Sequence, residues 1–433
     1  MSTWGQMSGG AGTAGTAGTA GTAGTAGTAG TAGTAGTAGT AGSSTPVVGM
    51  DGGAGYPAYS GFLPSPMVTG AVITTRESSL AGDAGWCIYD RHFIPIRAPF
   101  LDASVINREP TKKVERLQTS VRSALIEMEL LDHIRLRWDG TAGGVELEDG
   151  TPLAAICKLQ DEVFDHQLKL VAAFAALRAE RSSEVLTQVV PQTAHWSSIA
   201  GLSPDRHRYT WELIGVGLRF AMMVTMRLKF DFNVKRPWER SAAIQPMILT
   251  PGYTAYPCGH ATEACFVAEL LPLLVGDPTH PCAMEPEQPE ERREGKKPAG
   301  HCQKIVGRKD GMARQLNRLA FRIAENRVVA GLHYPVDSIA GQVLGVMLAR
   351  YLVWLTGDEL PGFRKDKLMI GAVAFPEPTA IKGHEEQPAF DCFVDEQKHV
   401  HAPGTPLPEE EPPFAPVLRD LWILARREWV KEE

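Results

Sequence analysis

The chain has 433 residues, of which 43% are hydrophobic and 21% are charged. This length suits one large domain or two medium ones, and the composition is typical of a globular protein. The net charge of −7 gives no overall basic field, so we expect no nucleic-acid partner. The 7 cysteines are odd in number and scattered, which indicates mostly reduced thiols and no disulfide framework.

The N-terminus, MSTWGQMSGG, has no charged segment followed by an apolar one. No secretory signal is therefore visible, and we expect a cytoplasmic protein, with export by another route left open. The two most apolar windows contain Arg219 and Arg350 respectively. Both fall short of the ~20 consecutive apolar residues that cross a bilayer, so the sequence predicts no membrane span.

Composition divides the chain into four parts. Residues 1–45 are dominated by an Ala-Gly-Thr repeat. Its small side chains cannot bury enough area to offset the entropy of ordering, so we predict a disordered tail. Residues 46–105 are interpreted as an irregular arm, and residues 106–360 as a helical domain with a polar insertion at 276–310. Residues 361–433 are predicted to be an irregular tail with a short closing helix, PVLRDLWILARREW.

Helical periodicity dominates the central part, and no convincing run of alternating strands is visible. The predicted helices cover residues 110–136, 153–180, 208–230, 260–276, 311–333 and 334–357. The sequence therefore predicts an all-α fold built as one helical bundle.

Three cations interrupt this apolar pattern. Lys229 lies at the end of the third predicted helix, Arg236 follows in KFDFNVKRP, and Arg327 lies in AENRVVAGLHYPVD. Burying three unpaired cations would cost several kcal/mol each. Either each forms its own ion pair, with Glu212 and Asp231 as candidate partners, or all three converge on one anion.

Two histidines lie where helices are predicted to begin. Asp337, four residues after His333, can reach back to that imidazole, fix its tautomer and favour the imidazolium. His260 follows a Pro-Cys-Gly turn, and the free N–H groups of a helix start can bind an anion. Gly259 lets the backbone approach a ligand, and Cys258 adds a weak donor. If the three cations converge on one anion, the sequence predicts an oxyanion pocket between the two imidazoles.

The three segments Lys-x6-Arg-Pro, Pro-Cys-Gly-His and Arg-x5-His-x3-Asp occur in the order and internal spacing of a known signature. From Lys229 to Asp337 the chain resembles type 2 phosphatidic acid phosphatases, bacterial acid phosphatases and vanadium-dependent haloperoxidases. The resemblance implies a helical bundle of the haloperoxidase/acid phosphatase type. Cys258 and Asn326 depart from it, because the family usually has serine at both places. A thiol is a poorer donor than a hydroxyl and is at oxidative risk beside peroxide.

The resemblance also implies roles. His333 would be the vanadium ligand of a haloperoxidase, or the nucleophile of a phosphatase, and Asp337 would hold it in place. His260 would be the general acid–base. The residues that would bind vanadate or phosphate are Lys229, Arg236, Cys258, Gly259 and Arg327.

Two functions follow from the resemblance. One is a vanadate-dependent haloperoxidase that uses peroxide to oxidise halide, with vanadate as its cofactor. The other is a soluble acid phosphatase that cleaves phosphate esters through a phosphohistidine, without a cofactor. Both act on small molecules, and relatives often pair through helices, which suggests a homodimer.

A third hypothesis, from another class, is a binding protein with a zinc site in the polar insertion. The spacing of its four soft ligands matches no common zinc motif. These ligands are His280, Cys282, His301 and Cys302.

Overall fold

The computed structural model describes residues 70–75, 109–189, 192–277, 280, 311–358, 360, 369–372, 405–406 and 412–430. The Ala-Gly-Thr repeat, most of the predicted arm and most of the predicted insertion lie outside these residues, so the division into domains stays a prediction. Within the predicted arm, residues 70–75 are helical.

Most of the described chain is helical. The helices are α1 (Lys112–Glu115), α2 (Thr119–Asp132), α3 (Asp161–Phe174), α4 (Arg178–Thr187), α5 (Thr193–Ala200), α6 (Arg208–Phe232), α7 (Pro237–Arg240), α8 (Gly259–Val275), α9 (Met312–Val329), α10 (Pro335–Leu355) and α11 (Pro416–Arg427). The first predicted helix corresponds to α1 and α2, followed by a strand, and the second to a strand followed by α3 and α4. The four later predictions correspond to α6, α8, α9 and α10, and the predicted closing helix to α11.

The prediction of an all-α fold holds only in part, because the described residues are mostly helical but include a small sheet. Its order is β1-β2-β3-β4-β5; β3 and β4 are parallel and the other neighbours antiparallel. Two of the predicted helices therefore extend too far, the first into β1 and the second into β3. The strands are β1 (Ile134–Trp138), β2 (Ala142–Leu147), β3 (Pro152–Cys157), β4 (Met369–Ala372) and β5 (Thr405–Pro406).

The missed signal is a pair of Asp-Gly turns. Gly140 and Gly150 have φ of 92° and 88°, a region that favours glycine. In each turn the preceding aspartate accepts a hydrogen bond from the backbone N–H two residues on, at 2.7 Å for Asp139 and 2.8 Å for Asp149. Asp-Gly between apolar segments is among the strongest short-range hairpin signals, and it occurs twice in this region.

The apolar helix α8 lies at the centre of the fold. From Ala264 to Val275 all of its residues are buried, as expected for a helix that is apolar on all sides. It packs closely against α10, where Gly341 and Gly345 leave room for the backbone of α8. A Cβ at Gly345 would collide with the carbonyl oxygen of Thr262. This contact sets the position of the N-terminal end of α8.

Among the described helices, α10 has the length and apolarity that a membrane span needs. However, 78% of its most apolar window is buried inside the fold. A core helix of a globular protein passes the same test, so this single helix is weak evidence for a membrane span.

The close approach of α8 and α10 predicts a contrast between two glycine variants. Gly345→Ala should lower the free energy of unfolding by about 1–3 kcal/mol, because the added methyl overpacks the contact. Gly215→Ala in α6 should be neutral or stabilise by up to ~1 kcal/mol, because nothing lies within 4 Å of its added Cβ. Urea denaturation measures both, and equal stabilities would contradict the packing described here.

Candidate oxyanion site

The segments singled out in the sequence meet at the N-terminal end of α8. The backbone N–H of Cys258 donates to the carbonyl oxygen of Asp337 at 2.8 Å, which joins the starts of α8 and α10. Arg236 Nη1 lies 3.2 Å from His333 Nε2, which joins the segment after α6 to the segment before α10. The residues gathered there are Lys229, Arg236, Cys258, Gly259, His260, Arg327, His333 and Asp337.

Lys229 lies in the last turn of α6 and is 1% exposed. Its Nζ donates to the carbonyl oxygens of Thr254 at 2.9 Å and Ala255 at 2.6 Å, and it lies 5.4 Å from the centre of the Tyr253 ring. Burial, reinforced by the charge of Arg236, lowers the pKa of Lys229 to about 7. The protonation of this lysine therefore responds to any charge that binds nearby.

Arg236 precedes α7 and is equally buried. Its Nε donates to the carbonyl oxygen of Tyr253 at 2.9 Å, and its Nη1 donates to that of Leu332 at 3.0 Å. The guanidinium also lies 5.3 Å from the centre of the Tyr253 ring. Burial lowers the pKa of Arg236. Its hydrogen-bond partners are thus neutral carbonyl oxygens and one imidazole.

Arg327, in the last turn of α9, is fully buried. Its Nη2 donates to Val185 O and to Gln188 Oε1, each at 3.2 Å. Among the described residues, its Nε and Nη1 have no hydrogen-bond partner. Burial lowers the pKa of Arg327 to about 10, so it stays charged at neutral pH.

The hypothesis of three separate ion pairs is wrong for the described residues. Glu212 pairs instead with Arg122 at 2.5 Å, and Asp231 pairs with Arg227 at 2.9 Å. Within the described ranges, no carboxylate forms a salt bridge with any of the three site cations. A buried positive group with only neutral partners is costly, and a bound anion would offset that cost.

His333 and Asp337 form the expected contact, Nδ1 to Oδ2 at 2.9 Å, and Asp337 Oδ2 also accepts the N–H of Tyr334 at 3.0 Å. The prediction that this contact favours an imidazolium is wrong. Burial and the charges of Arg236 and Lys229 lower the pKa of His333 well below its usual value. Burial also raises the pKa of Asp337 to about 7. With Nδ1–H donated to Asp337, the neutral imidazole keeps its lone pair on Nε2.

His260 is half-buried at the start of α8. Its Nε2 lies 3.0 Å from the carbonyl oxygen of Gln188. A carbonyl oxygen can only accept, so Nε2 carries the proton and Nδ1 keeps the lone pair. Burial and the charge of Arg327 lower the pKa of His260 to about 3.

The turn before His260 provides room and donors for a ligand. Gly259 is the first residue of α8, and a Cβ there would have no heavy atom within 4 Å. The first N–H groups of a helix have no intrahelical acceptor and favour anions. Cys258 is fully buried, and burial raises the pKa of its thiol, so it stays a neutral, weak donor.

The sequence reasoning missed two contributors, Tyr253 and Gln188. Neither belongs to a charged motif, and much of their contact with the site is through backbone carbonyl oxygens. Asn326, one of the two departures from the usual pattern, donates to Glu184 Oε2 at 2.9 Å and to Gln188 Oε1 at 3.0 Å. An amide at this position can therefore hold Gln188, a contact that a shorter serine would not reach in the same way.

The structure gives no support to the zinc hypothesis. His280 Nε2 lies 3.1 Å from Glu269 Oε2. Cys282, His301 and Cys302 lie outside the described residues. Among the residues that are described, no group of three or more His, Cys, Asp or Glu could hold a metal ion.

Because of Glu263, one turn into α8, we expect the free energy of unfolding to depend on pH. Burial raises the pKa of its carboxyl from 4.5 to about 8, against the opposing charge of Lys229. Between these values the folded protein binds more protons than the unfolded chain, so its stability falls as the pH rises through about 8. Glu263→Gln should flatten this dependence, measured by urea denaturation at about pH 5 and about pH 8. Glu162→Gln, at an exposed position of α3, is the control; an unchanged slope in the Glu263 variant would contradict the assignment.

Comparison with known proteins agrees with this geometry. Residues 211–360 match the model of the PAP2 superfamily, a segment that contains all three cations and both histidines. A stretch of 100 residues is 33% identical to a vanadium-dependent bromoperoxidase from Ascophyllum nodosum. That match covers 22% of this chain and 16% of the bromoperoxidase, well under two thirds of the relative's length. The segment that contains the candidate site, which is less than half of the chain, is therefore similar to the PAP2 superfamily.

Proposed function

We propose that this chain is a vanadate-dependent haloperoxidase, in which hydrogen peroxide oxidises a halide ion. In the overall reaction, halide, hydrogen peroxide and one proton give hypohalous acid and water. The observation that carries this proposal is the cluster of three buried cationic side chains, Lys229, Arg236 and Arg327, without a carboxylate partner among the described residues.

The cluster suits an oxyanion that stays bound. The unpaired Nε and Nη1 of Arg327 are charged donors inside the protein, and such donors form strong hydrogen bonds to anionic oxygens. A multiply charged anion would offset the buried positive charge of both arginines and raise the pKa of Lys229. A site of this charge favours retention of an anion over its rapid release.

The residues present fit vanadate by charge and by donor type. His333 Nε2 would be its protein ligand, and Lys229, Arg236, Arg327 and the N–H of Gly259 would bind its oxygens. When bound there, vanadate supplies a Lewis-acidic centre that activates peroxide.

The protein's own groups would position and move protons around that centre. Asp337 holds Nδ1–H of His333, so that Nε2 faces Arg236 and the site. His260 is fixed by its Nε2–H, which leaves Nδ1 to take the proton of an incoming peroxide. Burial and the charge of Arg327 lower the pKa of His260, and a bound anion, which opposes the second effect, would raise this pKa and make the imidazole a better base.

A phosphatase is the second candidate, and the His333–Asp337 pair favours it. With Nδ1–H donated to Asp337, Nε2 keeps its lone pair, which would exchange its contact with Arg236 Nη1 for attack on phosphorus. The bound phosphate would raise the pKa of His260, so that Nδ1 takes up a proton. The ester P–O bond would break and the leaving oxygen would take this proton from Nδ1; water would then hydrolyse the phosphohistidine and return a proton to Nδ1. The same cations would bind the phosphoryl oxygens.

One experiment separates the two functions. The purified protein is assayed for bromination of monochlorodimedone with peroxide, with and without added orthovanadate, and for hydrolysis of p-nitrophenyl phosphate. Vanadate-dependent bromination supports the first proposal. Hydrolysis that vanadate inhibits, without any halide oxidation, supports the second. If the protein shows neither activity, both proposals are contradicted.

Arg327→Ala should abolish the activity found and weaken vanadate binding by about 100-fold or more, because a buried charged donor is lost. Arg227→Ala removes an arginine whose ion pair with Asp231 lies on the exposed side of α6 and is the matched control. Calorimetric titration with orthovanadate measures both variants. Equal affinities of wild type and Arg327→Ala would rule out an oxyanion at this place.

Cys258→Ser should increase oxyanion affinity by about 3- to 10-fold, because a hydroxyl is a stronger donor than a neutral thiol. Cys157→Ser, at an exposed thiol, is the control and should bind as wild type does. Titration with inorganic phosphate measures the difference. Unchanged affinity in Cys258→Ser would indicate that this side chain does not face the ligand.

A further inference from the structure

Gln188 contacts both sides of the candidate site. It follows the last residue of α4 and is fully buried. Its side-chain Oε1 accepts a hydrogen bond from Arg327 Nη2 at 3.2 Å, and its backbone oxygen accepts one from His260 Nε2 at 3.0 Å. One residue therefore holds a cation and an imidazole of the site.

The orientation of the Gln188 amide is fixed by its neighbours. Its Oε1 also accepts from Asn326 Nδ2 at 3.0 Å, and the same Nδ2 donates to Glu184 Oε2. Because both Arg327 and Asn326 present donors, the amide atom that faces them is the oxygen. The nitrogen, Nε2, is on the other side of the amide.

The charge of Glu184 is directed away from the site. Arg322 donates to both of its carboxylate oxygens, Nε at 2.8 Å and Nη2 at 2.9 Å. These contacts and Asn326 lower the pKa of Glu184, so it stays a carboxylate. Arg327 therefore contacts a neutral amide, and this carboxylate does not neutralise it.

Within the part of the chain that the structure describes, the Nε2 of Gln188 is a buried donor without a hydrogen-bond partner. Leaving such a donor unsatisfied costs free energy, so a buried amide nitrogen normally has an acceptor. The amide oxygen and nitrogen are ~2.3 Å apart, and Oε1 is 3.2 Å from Arg327 Nη2. The nitrogen Nε2 therefore lies within ~5.5 Å of that guanidinium nitrogen. That guanidinium also has unpaired Nε and Nη1. Unpaired donors of two neighbouring side chains are the arrangement that an anion satisfies.

We propose that Gln188 is an additional oxyanion-binding residue, which positions Arg327 through Oε1 and donates Nε2–H to the bound anion. The inference rests on the oxyanion site of the proposed function and extends it by one ligand contact. The amide adds a donor without adding negative charge. It also compensates for Cys258, whose thiol is a weaker donor than a hydroxyl.

Two substitutions separate the donor from the acceptor. Gln188→Met keeps the length of the side chain but removes both polar atoms. Gln188→Glu keeps an acceptor for Arg327 and replaces the donor with a carboxylate oxygen. The control is Gln342→Met in α10, because Gln342 also has an unpaired, buried Nε2 but none of its described contacts involves a site residue.

The full-length protein and its variants are titrated calorimetrically with orthovanadate and with inorganic phosphate. Gln188→Met should lose about 10- to 100-fold in affinity, because hydrogen bonds to charged groups are lost. Gln188→Glu should lose more, and its loss should grow as the pH rises and the new carboxyl ionises. Gln342→Met should bind as wild type does.

A second measurement reports on the contact itself. The side-chain amide resonance of Gln188, identified by its absence from the Gln188→Met spectrum, should shift when phosphate is added to nitrogen-15-labelled wild type. The shift is measured on the wild-type protein. It therefore does not depend on whether a variant is stable enough to bind the anion.

Three results would overturn the inference. The first is wild-type affinity in a folded Gln188→Met, the second an equal loss in Gln188→Met and Gln342→Met, and the third an amide resonance that phosphate leaves unmoved. If wild type binds oxyanion but any of these is found, only the role of Gln188 fails. If wild type binds neither vanadate nor phosphate, the proposed function fails as well.

Discussion

The site depends on positive charge that is buried without a carboxylate partner among the described residues. Lys229 and Arg236 donate to backbone carbonyl oxygens, and Arg327 donates to one carbonyl and one amide. Such neutral acceptors satisfy hydrogen bonds but leave the charge uncompensated. Burial, together with the positive field that results, lowers the pKa of both His260 and His333. The buried, uncompensated positive charge therefore influences both the proton positions in this pocket and its preference for an anion.

The fold holds these groups in place through core packing. Helix α8 is buried nearly throughout, and the glycines of α10 let the two helices approach until Cys258 N–H reaches the carbonyl oxygen of Asp337. Because the site residues lie at helix ends and in the adjoining loops, the position of each is set by the helices of the core. Packed cores resist small displacements, which suits a site whose donors must match an anion of fixed shape.

Local patterns were sufficient to predict part of this structure. Apolar periodicity identified α6, α8, α9 and α10, and the spacing from Lys229 to Asp337 identified the residues that meet. The sheet was missed because helical periodicity was extended across Asp139-Gly140 and Asp149-Gly150, where turn chemistry decides the structure. The neutral state of His333 was also missed, since it depends on burial and on the charges of cations that are distant in the chain. Gln188 acts through a backbone oxygen and an amide, and neither leaves a pattern in sequence.

An anion bound in this site would do more than occupy space. The pKa values of Lys229, His260 and His333 are all lowered by burial and by positive neighbours, so a negative charge placed among them would raise all three together. Anion binding and proton uptake are then one coupled event. Of these three groups, Lys229, with a pKa of about 7, is nearest to changing its charge at neutral pH. A bound anion would raise the pKa of Lys229 and so favour its protonated form. The positive charge of that form would in turn strengthen the binding of the anion.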